Sequence, residues 1–175
     1  MIAESRDTSL AHYARTVAKL TETAFFVEVP CHVLVESGRV EAGANGPSSF
    51  RTEYLEQSEI VSRIQSAERR EVFLLKKRAG AAFSGHISIG RTLNLDCCIA
   101  RTGISKFHAY VFESDGGYQL TDKDSTNGTF VDGVRLSPSG TMSLRDGCEV
   151  RFGTHGFTFL SPASFLRMLR GVAGV

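Results

Sequence analysis

With 175 residues, 42% of them hydrophobic, the chain is long enough for one domain with an appendage or two small domains, and rich enough in apolar residues for a packed core. Charged residues make up 22% and balance to a net charge of +1, which excludes the disordered class and argues against a nucleic-acid binder that works through a broad basic face. The longest basic cluster, Lys76-Lys77-Arg78, reads as a solvated strand end.

Asp7, Thr8 or Ser9 is placed to cap a helix running from about Ser9 to Ala24, because Leu10, Tyr13, Ala14, Val17, Leu20 and Ala24 draw one apolar stripe. Thr8 itself reads as part of a mobile leader. After Phe25-Phe26-Val27 and the break at Pro30, HVLVES predicts a short strand ending at Gly38. Glu41 to Ser49 has loop composition, and Ser58 to Arg70 predicts a second short helix. From Val72 the period changes to that of short strands: VFLLKK, HISIGR, CIA, FHAYVFE, GYQLTD, TFV, EVRF and FTFL, bounded by Gly, Asp, Asn and Ser. Such spacing predicts an all-β sandwich. At the end, Ser161 caps a helix with Pro162 in its first position, and Gly171 is expected to stop it.

The four cysteines, Cys31, Cys97, Cys98 and Cys148, have neither CxxC spacing nor a histidine pair, so no metal site is expected. Free thiols in a reducing compartment are the plainer reading. The opening MIAESRDTSL lacks the apolar core of a signal peptide, no stretch approaches a membrane span, and a cytoplasmic location is predicted.

The chemistry concentrates between Gly90 and Leu136. FHAYVFE and GYQLTD, joined by a turn at Ser114-Asp115-Gly116-Gly117, predict a hairpin that returns Ser105 and Asn127 to one end of a sheet. That end would gather Arg91, Ser105, Lys106, Thr126 and Asn127, a set of donors with fixed positive charge that suits an anion. Arg matches a phosphate because its planar fork reaches two oxygens at once. Ser105 adds a hydroxyl, with Lys106 and Thr126 as further donors, while the Asn127 amide can both donate to and accept from a peptide main chain. Ser105, His108 and Asp124 also invite a hydrolase triad. The odd spacing of Ser105 and His108 and the absence of a GxSxG elbow argue against it, and no catalytic residue is assigned.

Gly90-Arg91, Ser105-Lys106-Phe107-His108, Asp124-Ser125-Thr126-Asn127-Gly128-Thr129 and Asp132-Gly133 with Leu136 follow one another in an order and spacing that resemble the forkhead-associated (FHA) family. The resemblance covers about Val72 to Leu160. It departs at Asp132-Gly133, where Asn-Gly is usual, although both dipeptides suit a type I′ turn.

This resemblance implies a mainly β fold: the forkhead-associated sandwich of two sheets over 71–162, with recognition loops at one end. Residues 1–70 would be an N-terminal helical and strand extension packed on it, and 163–175 a short C-terminal helix and tail. The resemblance also implies Arg91 and Ser105 as phosphate contacts, with His108 bracing the loop. Gly90 and Gly128 would serve the backbone in tight turns. The expected function is phosphothreonine-peptide binding without catalysis or cofactor, with a Thr-phosphorylated protein as partner and a Ser/Thr kinase upstream. No nucleic acid is expected as partner, and no membrane span is expected. The rival reading is a phosphate-independent structural adaptor or self-association domain.

Overall fold

The computed structural model describes residues 7–39, 69–79 and 85–173. The loop expected over Glu41 to Ser49 and nearly all of the helix expected over Ser58 to Arg70 lie outside the described residues. Strands follow as β1 (Val33–Arg39), β2 (Val72–Leu74), β3 (Ile87–Gly90), β4 (Cys97–Cys98), β5 (Ala109–Ser114), β6 (Gly117–Asp122), β7 (Thr129–Val131), β8 (Val134–Arg135), β9 (Thr141–Leu144), β10 (Glu149–Phe152) and β11 (His155–Leu160). Helices α1 (Leu10–Val17) and α2 (Glu22–Glu28) precede them, and α3 (Pro162–Ala173) closes the described chain.

The strands form two sheets, one ordered β2-β1-β11-β10-β7-β8 and the other β4-β3-β5-β6-β9. Alternation along the strands fills the space between them. Leu34, Ile89, Val111, Leu120, Val150, Phe157 and Phe159 meet in one buried cluster. The six-stranded sheet is covered on its other face as well. Val33, Val35, Val72 and Leu160 point there and pack with Tyr13, Val17, Phe25, Phe165 and Leu169 of the helices. β1 is therefore buried on both faces, which explains its unbroken Val33-Leu34-Val35 run, and it lies inside the sheet, paired with β11 and β2.

The expected helix from Ser9 to Ala24 is two helices. Ser9 caps α1, its Oγ accepting from the His12 amide at 3.1 Å. Thr21 then caps α2, accepting from the Ala24 amide at 3.3 Å, and a second cap inside the stripe ends one helix to begin another. Phe25 and Phe26 consequently lie within α2. Thr8 is tied down: its carbonyl accepts from the Val72 amide at 2.8 Å beside a Ser9–Glu71 bridge, so Thr8 itself is not the mobile residue read from the sequence. Gly171 does not stop α3, which continues to Ala173 with Val172 packed against the helical core. No helix among the described residues is long and apolar enough to cross a membrane.

Candidate functional site

The β5–β6 hairpin is in register from Ser114↔Gly117 to Ala109↔Asp122, so the loop before β5 and the loop after β6 emerge side by side. Its turn uses left-handed Asp115 and Gly116, at φ 53° and 75°. β3 pairs with β5 and ends at Gly90, which delivers Arg91 to the same place. Between these loops is a cleft of about 800 Å³ lined by Arg91, Arg101, Ser105, Lys106, Thr126 and Asn127 among others. All five residues expected to contact an anionic peptide border it.

Their side chains are held to different degrees. The Arg91 amide donates to the Ser105 carbonyl at 3.1 Å, but its exposed side chain has no hydrogen bond or ion pair among the described residues, and neither does Lys106. Ser105 Oγ accepts from the Thr126 amide at 3.1 Å and lies 3.4 Å from Thr126 Oγ1, joining the two loops. Asn127 Nδ2 donates to the Gly103 carbonyl at 2.7 Å, which fixes the amide plane and leaves Oδ1 and one N–H for other use.

His108, with no exposed surface, links both loops from below. Its Nδ1 accepts from the Ser105 amide at 3.0 Å, so Nε2 carries the proton and donates to the Gly128 carbonyl at 3.3 Å. Burial favours this neutral form and holds its pKa below the ordinary value. No triad forms: the Ser105 hydroxyl engages Thr126, and Asp124 accepts from Ser139 Oγ at 3.2 Å. Gly128 is left-handed at φ 82°. Gly90 is not: it is needed for closeness, since a Cβ there would collide with the Lys106 carbonyl oxygen and stand 2.8 Å from Leu95 Cδ1.

Residues 87–153 match the family model described as FHA domain. These residues form a forkhead-associated domain. Over 75 residues the chain is 35% identical to an ABC transporter ATP-binding/permease protein of Mycobacterium tuberculosis, a match covering 43% of this chain and 8% of the transporter's length. Among solved structures it is similar to Mycobacterium tuberculosis EmbR in complex with a low-affinity phosphopeptide, at 29% identity and TM-score 0.40, over 43% of this chain and 20% of that one. It is also similar to the FHA domain of an Arabidopsis thaliana hypothetical protein, at 26% identity and TM-score 0.41, over 43% of this chain and 65% of that one.

Two buried carboxylates support the loops of the forkhead-associated domain, and neither was singled out in the sequence. Asp122, at the end of β6, accepts from Ser125 Oγ and Thr129 Oγ1, each at 2.6 Å, and from the Ser125 amide at 3.0 Å. Burial opposes its ionisation, but these bonds outweigh it and hold the pKa below the usual carboxylate range. The Asp122-to-Ser125 spacing is that of a side chain folding back on its own loop, and was the one local clue.

Asp96 does the same for the Arg91 loop. It accepts from Lys77 Nζ at 2.7 Å, the Arg78 amide at 2.9 Å, and the Ser88 amide and hydroxyl at 2.9 and 2.6 Å. Burial again opposes the charge and is overcome, bringing its pKa down to about 2. The Arg78 guanidinium also donates to the Leu93 and Leu95 carbonyls. Lys77 and Arg78 are thus structural, contrary to the solvated reading. Their partners lie 9 to 19 positions away, where no local pattern reveals them.

Proposed function

We propose that the forkhead-associated domain binds a phosphothreonine-bearing segment of a partner protein. It would act as a non-catalytic recruitment module downstream of a Ser/Thr kinase, in the cytoplasm and without a cofactor. The observation that carries this reading is one cleft in which Arg91 and Lys106, two cations with no ion-pair partner among the described residues, stand beside the hydroxyls of Ser105 and Thr126. A phosphate monoester brings about −1.5 to −2 charges and three acceptor oxygens, which such a set matches. In this reading Arg91, Ser105, Lys106 and Thr126 hold the phosphate, and Asn127 meets the peptide main chain with the groups that Gly103 leaves unused. His108, Gly90 and Gly128 keep the loops in place. Residues 71–162 carry the recognition, and residues 1–70 support it through β1 and the helical layer.

The test is a calorimetric titration of the full chain with a degenerate phosphothreonine peptide library and its unphosphorylated twin. Binding confined to the phosphorylated library is expected. Equal binding of both, or of neither, overturns the proposal in favour of a phosphate-independent adaptor.

A further inference from the structure

Arg101 lines the same cleft as Arg91 and Lys106, yet its electrostatic situation is the opposite. Its Nη2 donates to Glu71 Oε2 at 2.6 Å and stands 3.7 Å from Glu36 Oε2. The two glutamates are tied to each other: the Glu36 amide donates to the Glu71 carbonyl at 2.9 Å, and the Glu71 amide to Glu36 Oε2 at 3.4 Å. Both come from the chain before the matched residues 87–153, Glu36 from β1 and Glu71 from the approach to β2. One guanidinium therefore faces two carboxylates, and no other described cation stands within ion-pair distance of either.

A guanidinium has five N–H donors, and among the described residues only Nη2 is engaged. Arg101 keeps hydrogen-bonding capacity but has no net attraction left for an anion. Transferring it to a ligand carboxylate would exchange one ion pair for another and leave Glu36 and Glu71 unpaired beside it. Glu36 is only 16% exposed, so its charge is less screened than that of a free surface residue.

We propose that Arg101 is a specificity-determining residue of the cleft. It donates to neutral acceptors on the ligand chain flanking the phosphothreonine, while Glu36 and Glu71 make that end reject an acidic flank and accept a neutral or basic one. The inference rests on the phosphothreonine reading above. It adds that the ligand's charge is read by residues outside the matched segment.

The experiment is fluorescence anisotropy on the full chain, using a phosphothreonine peptide with alanine flanks and single Glu or Lys replacements at each flanking position. For the unsubstituted chain, Glu at one flank should weaken binding at least about threefold relative to Lys, the scale of a partly screened charge pair. The double variant Glu36→Gln/Glu71→Gln should erase or invert that ratio at the same position. Should the double variant melt early, Glu71→Gln alone carries the comparison, since it retains an acceptor for Arg101. Arg101→Gln should weaken the alanine-flanked peptide. The inference is overturned if no flank penalises Glu, or if the penalty persists in the variants while binding still requires the phosphate. If binding ignores the phosphate, and Arg91→Ala changes nothing, the functional reading and this inference fall together.

Discussion

The two ends of this molecule are held together by different physics. Over the outer face of the six-stranded sheet, α1, α2 and α3 bury Tyr13, Phe25, Phe165 and Leu169 against valines of the strands. Two of its cations are paired, Arg15 with Asp7 and Arg170 with Glu22. At the loop end the buried braces are polar: Asp96, Asp122 and His108 each satisfy two or more backbone or side-chain groups, while Arg91 and Lys106 above them have no ion-pair partner among the described residues. Apolar burial is non-directional and tolerates small shifts, whereas a hydrogen-bonded carboxylate fixes a loop in one geometry. The helical layer supplies stability, and the polar braces supply position.

The sharpest way to break that contrast is to cut the helical layer. Phe165 has no exposed surface and stacks edge-on with Tyr13 at 5.5 Å. Phe165→Ala should cost about 3–5 kcal/mol in urea unfolding, while the protein that remains folded binds phosphothreonine peptide as before. A large loss of affinity in fully folded protein would show the two regions to be coupled.

Asp96 tests the other side. Its pKa of about 2 lies below the ordinary carboxyl value of 3.8, so its charged form favours the folded state. That contribution, about 2 kcal/mol for a shift of this size, is present above pH 3.8 and is lost as pH falls toward 2. Asp96→Asn should lower stability by a similar amount at neutral pH and flatten the decline between pH 4 and 2 in melts followed by circular dichroism. Unlike Phe165→Ala, it should also reduce peptide affinity, because the Arg91 loop hangs on it.

Ser105→Ala removes the tie to Thr126 along with the hydroxyl proposed to donate to the phosphate. A loss of about 0.5–1.5 kcal/mol in binding is expected, with a smaller drop in melting temperature. An effect on melting alone would reduce Ser105 to a brace. Smallest of all is the preference for phosphothreonine over phosphoserine: burying one methyl is worth about 0.8 kcal/mol, or roughly fourfold in Kd, read by competition between paired peptides.

The same contrast explains what could be read in advance. Strands whose alternation faces a core were legible, and so was the hairpin that gathers Arg91, Ser105 and Asn127, because its turn chemistry is local. β8 and β9 were missed: Val134 and Arg135 are both exposed, and Thr141–Leu144 buries only Leu144. The single long helix failed because Thr21 looks no different from any polar residue on a stripe until its hydroxyl meets the Ala24 amide. Lys77, Asp96, Glu71 and Arg101 owe their roles to partners brought close only by the folded sheets. The proposed contact residues of the cleft lie within motifs, whereas most of the groups that hold them do not.

The most direct measurement compares Arg91→Ala with the unsubstituted chain for the tightest phosphothreonine peptide and its unphosphorylated twin. A charge-assisted hydrogen bond is worth about 1.5–3 kcal/mol. The substitution should therefore weaken binding of the phosphorylated peptide at least about tenfold, with no change in melting temperature, and leave the unphosphorylated peptide equally weak for both proteins. Unaltered affinity for the phosphorylated peptide would contradict the account.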